Sequence, residues 1–592
     1  MTCRNDSRVF YPALIEKAYL KLMGGYDFPG SNSGTDLLAL TGWIPEHVFL
    51  QSDDVLPGNL WRRIYKAWGY GDVLVTLGTG SMTKGEELEL GLIGEHDYAV
   101  LALKEENGQG ILQVKNPWSE GTVWKGAPAL DSDEEGEDFD AKSRESTFDT
   151  GELRSSLPPA AGETPSPGVF WISQDNVFRY FASVYLNWNP ALFTQRNDTH
   201  FSWDFSGKKS ESFIGGNPQF SLENPSSKPA LAWLLLGRHM NSTGCYKNQG
   251  GLDNERRSYI SLCVFESPGR HVYRSESALH TGPYVDSPQT LLKVDTIPPR
   301  TKYTIAISSQ DLPRTEHTFT LSALSLTPLR ITEAEDPYSF RHALQSQWLP
   351  ETAGGNAQSP TYSTNPQFRL SISSACDVLL LLETIDSIPA HVKLVWGSGK
   401  RITTVTTRDI IAESGEYRRG HALAEAISLQ KGQYTIVAST FEAGQVGDFT
   451  LTVGATTPGV VLQQLPSESA GKLRKTVEGT WDSGVHAVAY PLDVERFTRV
   501  SVNARTLRAN TRAQPMLKVS VERGVDGSKR ETEASSGFSD VPQGVRTGDV
   551  DLEGGLEYLV VLGRLGDGDG SRYVLEVLSD GVVHLGSPMP TG

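Results

Sequence analysis

Apolar residues recur at helical spacing near the start of the chain. The segment Pro12–Met23 opens with a proline, closes before Gly24-Gly25 and places its apolar residues on one face, a pattern that predicts an amphipathic helix. We expect this face to lie in the core. Its members are Leu14, Ile15, Ala18, Tyr19, Leu22 and Met23. The Gly- and Ser-rich stretch that follows, up to Gly34, is predicted to be a loop.

Two more helices and a buried strand are predicted before residue 192. A second amphipathic helix runs from Leu60 to Trp68, and Asp72 to Leu77 is a strand. The sequence Gly78-Thr79-Gly80-Ser81 lacks the Gly-Lys-Ser/Thr of a phosphate loop, so we interpret it as a tight turn. A last helix is predicted from the spacing of Val177, Phe178, Phe181, Val184 and Tyr185.

After Leu192 the helical periodicity gives way to short alternating runs between Gly and Pro turns, which is typical of β-sandwiches. Three internal echoes divide this region, each a Tyr-containing strand followed by a second aromatic strand. We interpret each echo as a hairpin that closes one sandwich, with its aromatics in the core. The echoes are Tyr303 with Phe319, Tyr434 with Phe449 and Tyr558 with Tyr573; Asn217-Pro218-Gln219-Phe220 and Asn365-Pro366-Gln367-Phe368 mark an earlier strand in the first two copies.

Between these regions, the stretch from Gly94 to Trp118 predicts a β-hairpin. Asp97 to Leu103 is rich in strand formers and is followed by a charged stop at Lys104–Glu106. A turn-forming cluster, Asn107-Gly108-Gln109-Gly110, leads to a second apolar run, Ile111 to Val114.

This hairpin brings two candidate catalytic side chains together. His96 precedes the first strand and Asn116 follows the second, so we expect both at the same end of the ladder. An amide oxygen that accepts one imidazole N–H fixes the tautomer and aims the other nitrogen at a nucleophile, as in a Cys-His-Asn triad. Pro117 ends the ladder, and Trp118 is expected to shield the His–Asn bond from water. The alternative is a surface histidine and a turn asparagine with no catalytic role.

Composition narrows the possible functions. The 592 residues leave room for about four domains at roughly 150 residues each. A formal net charge of −17 argues against nucleic acid as the main partner and fits a protein that meets other proteins. The first residues, MTCRNDSRVFYP, have no apolar signal region, and no apolar run approaches the ~20 residues of a membrane helix. We therefore expect a cytoplasmic protein with no transmembrane segment.

The four cysteines, Cys3, Cys245, Cys263 and Cys376, are sparse and irregularly spaced. They form neither a disulfide framework nor a CxxC metal pair, which suits a reducing compartment. No metal site and no cofactor is predicted. Cys3 is interpreted as an exposed thiol, and the other three as small core or loop residues of the sandwiches.

From about Ala127 to Gly168 the composition changes to acidic and then to Ser, Pro and Gly. The acidic run could be interpreted as a calcium-binding loop. However, the ligand spacing of such a loop, Asp-x-Asp-x-Asp-Gly closed by Glu, is absent from the run. We therefore predict a solvated, disordered insertion. The acidic residues are Asp131, Asp133, Glu134, Glu135, Glu137, Asp138 and Asp140.

Several strings resemble the calpain family of cysteine proteases. His96, Tyr98 and Val100 match its H-x-Y-x-V, residues 116–118 its N-P-W, and Trp124-Lys125-Gly126 its W-x-G. The segment LIEKAY within the first predicted helix matches the family's L-[IV]-E-K-A-Y. GGYDFPGSNSGTDL at 24–37 and LTGWIPE at 40–46 resemble the fungal PalB-type branch in particular.

This resemblance implies an α+β fold with a partial papain-like protease core, its second subdomain, at residues 1–192. Three all-β sandwich domains follow, at 193–335, 345–460 and 478–590, the middle one like the sandwich after the calpain core. The resemblance makes His96 and Asn116 the catalytic base and its orienting amide, with Trp118 in support. In the family the nucleophilic Cys lies in a Q-G-x-x-G-D-C stretch, which we do not find in this sequence, so we expect the chain alone to be inactive.

Two hypotheses follow from these observations. In the first, the chain is part of a calpain-like endopeptidase that performs limited proteolysis in fungal alkaline-pH signalling. The resemblance then implies a zinc-finger transcription factor as substrate and endosomal sorting proteins as partners, with possible recruitment to endosomal membranes. In the second, it is a non-catalytic interaction scaffold built on the sandwiches.

Overall fold

The computed structural model describes residues 10–23, 25–26, 30–106, 108–118, 122–126, 167–206, 213–239, 258–274, 277–359, 361–402, 405–467, 469–508, 515–526, 529–539, 544–566 and 570–591. The chain divides into two compact units, Met1–Glu335 and Asp336–Gly592. Within the described residues, no helix is both long enough and apolar enough to cross a membrane.

The first unit begins with helices around an antiparallel sheet whose strand order is β1-β6-β2-β3-β4-β5. The helices are α1 (Tyr11–Leu22), α2 (Ser33–Thr41), α3 (Pro57–Tyr70), α4 (Lys84–Leu90) and α5 (Gln174–Tyr180). The strands are β1 (Ile44–Phe49), β2 (Val73–Gly78), β3 (Asp97–Glu106), β4 (Gln109–Lys115), β5 (Val169–Ser173) and β6 (Ser183–Trp188). The predicted helices at 12–23 and 60–68 and the strand at 72–77 are confirmed.

Two predictions for the first helices are wrong. None of the residues of α1 is buried, and Leu14 is 65% exposed; of the predicted apolar face only Met23, just after the helix, is buried. Periodicity fixes which side chains share a face but not what covers that face. The predicted loop also ends too late, because α2 begins at Ser33, where the side chain of Asn32 caps the helix by accepting from Thr35 N.

The predicted helix through Val184 and Tyr185 is wrong beyond Tyr180. Phe181 is extended, and both residues lie in β6, which pairs with β1 on one side and β2 on the other. The local spacing is compatible with a helix. The two ladders and the burial of most of β6 outweigh that preference, since strand propensity depends on packing context.

A first sandwich completes this unit. Its sheets have the orders β11-β10-β13-β8-β15 and β12-β9-β14-β7. The strands are β7 (Gln195–Asp204), β8 (Gln219–Asn224), β9 (Ala230–Arg238), β10 (Tyr259–Phe265), β11 (Ala278–Thr281), β12 (Gln289–Ile297), β13 (Thr301–Gln310), β14 (Glu316–Ser325) and β15 (Arg330–Glu333).

The second unit contains two more sandwiches, the first with sheets β16-β24-β18-β22 and β20-β19-β23-β17-β25, β21 pairing with β19. Its strands are β16 (Phe340–Trp348), β17 (Gln367–Ile372), β18 (Cys376–Glu383), β19 (Pro389–Val395), β20 (Ile410–Glu413), β21 (Arg418–Arg419), β22 (His421–Leu429), β23 (Gly432–Thr440), β24 (Gly447–Ala455) and β25 (Val460–Gln464).

The last sandwich has sheets β26-β34-β28-β31 and β30-β29-β33-β27-β35, with β32 on β28 and β36 on β27. Its strands are β26 (Leu473–Thr480), β27 (Ala487–Val494), β28 (Thr498–Arg508), β29 (Met516–Asp526), β30 (Lys529–Ser535), β31 (Val545–Arg546), β32 (Val550–Leu552), β33 (Tyr558–Leu565), β34 (Arg572–Ser579), β35 (Val583–Leu585) and β36 (Met589–Thr591). The β-rich architecture is thus confirmed, whereas the assignment of the first part to a second protease subdomain stays a prediction.

The three echoes are not hairpins, which corrects the sequence interpretation. In each copy the Tyr strand and the following aromatic strand belong to opposite sheets: β13 and β14, β23 and β24, β33 and β34. The connection therefore crosses the sandwich, and both aromatics reach the same core, where all are nearly fully buried. The Asn-Pro-Gln-Phe segments do lead into equivalent strands, β8 and β17, each paired with the Tyr strand of its copy.

Candidate active site

The hairpin that carries the site consists of β3 and β4, in a register from Ala99↔Lys115 to Glu106↔Gln109. The predicted charged stop is wrong, because Lys104–Glu106 continue the strand. Lys104 Nζ lies 4.4 Å from the ring centre of Trp171, and Glu105 accepts a 2.8 Å hydrogen bond from Trp61 Nε1, so these charged residues have partners along the ladder. Of the predicted turn, Asn107 lies outside the described residues, and Gly108 adopts a φ of 79°, which favours glycine.

The structure brings His96 and Asn116 together at the open end of this hairpin. His96 Nε2 lies 3.0 Å from Asn116 Oδ1. The same oxygen accepts from the backbone N–H of Trp118 at 3.1 Å. That backbone group can only donate, so the atom that faces it must be the amide oxygen, and His96 Nε2 must then be the protonated nitrogen. Among the described residues, His96 Nδ1 has no hydrogen-bond partner, which leaves its lone pair for another group.

Asn116 is held rigidly. Its side chain is fully buried, its backbone N–H donates to Gly168 O at 2.9 Å, and Nδ2 donates to Thr122 O at 3.4 Å. A buried amide with its donor and acceptor groups engaged has little freedom to rotate. The imidazole therefore meets a fixed acceptor.

Thr79 was predicted only as part of a tight turn, yet it fixes the backbone of the histidine. The N–H of His96 donates to Thr79 Oγ1 and the N–H of Thr79 donates to His96 O, both at 3.0 Å. Thr79 Oγ1 in turn donates to Ile93 O at 2.6 Å. The residue before the histidine, Glu95, adopts a φ of 50°, which is uncommon outside glycine and turns the chain sharply into β3.

Two aromatic rings flank the imidazole. The ring centre of Trp118 lies 4.7 Å from that of His96, and Tyr98 approaches edge-on at 5.0 Å. Tyr98 is fully buried and its hydroxyl accepts from Ile93 N at 2.9 Å; burial raises the pKa of this phenol. Trp118 is 58% exposed, so it covers one side of the imidazole while its own outer face meets solvent.

Asp97 is a second residue that sequence reasoning missed. Its carboxylate accepts from Ser33 N at 2.6 Å and thereby fastens the start of α2 to the start of β3. Partial burial raises the pKa of this carboxyl, against the effect of the Ser33 hydrogen bonds. Nothing in the sequence distinguishes Asp97 from an ordinary exposed strand residue.

The cysteines do not complete this site within the described residues. Cys263 and Cys376 are buried in strands of the first and second sandwiches, as expected of core residues. Burial raises the pKa of the Cys263 thiol, the opposite of what a nucleophile needs. Cys3, Cys245 and the acidic run 131–140 lie outside the described residues. No cluster of three or more potential metal ligands occurs in the part of the chain that the structure describes.

Three protein-family models match the chain. Residues 1–187 match the calpain family cysteine protease model, and residues 398–453 match domain III of the calpain large subunit. Residues 468–589 match the C-terminal domain of palB-like calpain-like proteases. The first of these matches includes His96 and Asn116.

Individual relatives agree with the family models. The calpain-like proteases palB/RIM13 of Aspergillus oryzae and palB of Emericella nidulans are each 42% identical to the chain over 98% and 99% of its length. Calpain-7 of Homo sapiens is 32% identical over 78% of the chain. The chain spans 67% of the length of the two fungal relatives and 55% of the human one.

Proposed function

Because the chain belongs to the calpain-like cysteine proteases of the palB family, we propose that it supplies the base half of a Cys-His-Asn endopeptidase site. The observation that carries this proposal is the bond between His96 Nε2 and the buried oxygen of Asn116. It supports the catalytic role because it fixes the proton on one nitrogen and presents the other as a proton acceptor.

The proposed chemistry uses each group in a defined way. His96 Nδ1 accepts the proton of a thiol, and the resulting thiolate attacks the peptide carbonyl carbon. The imidazolium then returns that proton to the departing amine, and water later releases the acyl group from sulfur. Asn116 stabilises the imidazolium through its oxygen, while Thr79 keeps the histidine backbone in place.

We propose that the thiol comes from outside the described residues and that Cys3 does not provide it. The sequence around Cys3, MTCRND, has neither the Gln-Gly nor the Gly-Asp that surround the family's nucleophile. Cys263 and Cys376 are buried in their own sandwiches and stabilise the fold there.

The biological setting is proposed from the family resemblance. We propose limited proteolysis of a zinc-finger transcription factor in fungal alkaline-pH signalling, by a cytoplasmic enzyme that endosomal sorting proteins recruit. A protein substrate is what a protease of this family acts on.

A chimera tests the proposal. The part of the Aspergillus oryzae relative that this chain does not cover is joined to the chain, and cleavage of an unfolded protein substrate is measured with and without a thiol-blocking reagent. We expect thiol-dependent cleavage by the chimera and none by the chain alone. His96→Ala should lower kcat/KM by roughly a hundredfold or more, and Asn116→Ala by about tenfold or more.

The control is His200→Ala, which removes an exposed histidine of β7 in the first sandwich and should leave the rate unchanged. Cleavage by the chain alone that Cys3→Ser abolishes would place the nucleophile within this sequence. A folded chimera that does not cleave, or one indifferent to His96→Ala, would favour the non-catalytic scaffold.

A further inference from the structure

A polar cavity of about 50 Å³ lies in the second unit, between its two sandwiches. The walls come from the 3-10 turn Tyr362–Thr364 of the first of these sandwiches and from β28 and β31 of the other. The lining is rich in hydroxyl groups and also includes Arg474 and Arg546 and the carboxylates Glu351 and Glu576. Since one water needs about 10–15 Å³ by this measure, the space holds several waters or one small polyatomic ion.

Two partly buried guanidinium groups converge on Ser363 at one wall of this cavity. Arg546 Nη1 approaches Ser363 Oγ at 3.4 Å, and Arg401 Nη1 donates to Ser363 O at 2.7 Å. Arg401 also donates to the backbone oxygens of Pro466 and Asn365, so these hydrogen bonds all end on uncharged carbonyls. Burial lowers the pKa of Arg401 to about 10 and also lowers that of Arg546.

The described carboxylates near the cavity are paired, shared or exposed. Asp549 lies 3.4 Å from Arg546 and is shared with Lys472 at 3.6 Å, while its side chain is 43% exposed. Glu576 pairs with Arg474 at 3.0 Å. The remaining lining carboxylate, Glu351, is exposed at the rim. Arg546 lines this wall of the cavity, and Arg401, which does not line it, approaches the same residue, Ser363, at its backbone oxygen.

A buried hydroxyl without a partner faces the same space. Ser501 of β28 is 1% exposed and lines the cavity, and its Oγ has no hydrogen-bond partner among the described residues. Burying a hydroxyl without a hydrogen bond costs about 1–3 kcal/mol, so such groups usually have a ligand, an ion or water to bind.

We propose that this cavity is a binding site for a tetrahedral oxyanion, a phosphate ion or the phosphate of a small ester, held by Arg546 and by the hydroxyls of Ser363 and Ser501. Guanidinium and hydroxyl donors arranged around a small space suit an acceptor-only group with several oxygens. The bound anion would accept from Arg546 and give Ser501 a partner. It would also tie the two sandwiches together.

Phosphorus NMR on the full chain tests this site. Line broadening of inorganic phosphate and of glycerol 3-phosphate is followed at constant ionic strength set with chloride, so that the free ion and the ester are compared directly. Arg546→Gln should weaken binding by about tenfold or more, because it removes a charged donor, and Ser501→Ala by roughly twofold to tenfold.

Two matched variants of the same sandwich serve as controls. Arg499→Gln removes an exposed arginine paired with Asp551, and Ser520→Ala removes a buried hydroxyl that bonds Glu522. Both should bind phosphate as the unaltered chain does. If Arg546→Gln does not fold, phosphate binding by Ser501→Ala tests the proposal, because this substitution removes no hydrogen bond among the described residues. Absence of binding by the unaltered chain, or equal binding by Ser501→Ala, would show that the cavity holds only water.

Discussion

At the scale of single residues, His47 shows how burial controls the charge of an imidazole. Its Nε2 lies 2.8 Å from Ser183 Oγ, and its Nδ1 is buried with no hydrogen-bond partner among the described residues. Burial lowers the pKa of His47 to about 4, against the opposite effect of Asp286. The unfolded chain thus binds a proton on His47 near pH 6.5, whereas the folded chain binds this proton only near pH 4.

This difference predicts a pH dependence of stability. The part of the free energy of unfolding that depends on neutral His47 is fully present above about pH 6.5. It is lost as the pH falls toward 4, at about 1 kcal/mol per pH unit. His47→Gln, which does not titrate, should flatten the dependence in that interval. Chemical denaturation of the chain and the variant at several pH values measures it; parallel curves for the two proteins would contradict the assignment.

The candidate site illustrates what a sequence reveals about single residues. His96 and Asn116 could be paired in advance because a hairpin brings the residues before and after its two strands together. Thr79 and Asp97 could not, since each acts through a hydrogen bond to a backbone N–H that is distant in sequence. Their residue types are equally common in ordinary turns and strands.

At the scale of elements, the β3–β4 hairpin packs closely against α3 at Gly110. A Cβ placed on Gly110 of β4 would lie 2.5 Å from the indole of Trp61. Trp61 Nε1 also donates a hydrogen bond to the carboxylate of Glu105 in β3. The absence of a side chain at Gly110 thus lets α3 pack onto the two strands that carry the catalytic candidates.

We expect Gly110→Ala to destabilise the first unit by about 1–3 kcal/mol, since the rigid, buried indole cannot move aside easily. Gly69→Ala in α3 is the matched control: nothing lies within 4 Å of its added Cβ, and alanine favours the helix by up to about 1 kcal/mol. Thermal unfolding of the two variants should therefore shift in opposite directions. A neutral Gly110→Ala would mean that the hairpin is not packed on α3 in this way.

The elements also show where pattern analysis fails. The amphipathic helix α3 and strand β2 were predictable because each has a strong local signal. The segment after Tyr180 was not, because the two ladders of β6 come from β1 and β2, far away in sequence. The echoes correctly marked repeated aromatics, but alternation cannot tell whether consecutive strands share one sheet or face each other across a core.

At the scale of the whole molecule, the six-stranded sheet that precedes the first sandwich shares one core with it. Leu235 and Leu324 of the sandwich belong to the same buried cluster as the sheet. Glu46 of β1 joins the two parts: it accepts from Lys293 Nζ of β12 at 2.6 Å, from Arg63 at 3.0 Å and from Trp188 at 2.6 Å. Burial would raise the pKa of Glu46, but these cations and hydrogen bonds outweigh it and lower the pKa.

Removing this carboxylate should weaken the junction. We expect Glu46→Gln to destabilise the first unit by about 2–3 kcal/mol, since it leaves Lys293 largely buried without its counter-ion. Glu478→Gln is the control, because Glu478 also meets a cation at 2.6 Å but both side chains are more than half exposed. Urea unfolding measures the difference, and equal effects of the two substitutions would contradict a buried junction.

The sequence predicted the arrangement of the domains only in part. Family resemblance indicated a protease region and β-sandwiches, but the joint core depends on residues such as Trp233, whose ring lies 5.4 Å from that of Trp188. A single aromatic on a strand gives no sign of whether it faces its own domain or the next one. Contacts between domains therefore had to come from the structure.

The tautomer of His96 tests the central claim most directly. Nitrogen-15 NMR of the histidine side chains, assigned with His96→Gln, reports which ring nitrogen carries the proton when the imidazole is neutral. We expect the proton on Nε2, bonded to Asn116, and a loss of this preference in Asn116→Ala. A proton on Nδ1 in the unaltered chain, or an unchanged spectrum in Asn116→Ala, would contradict an amide-oriented catalytic base.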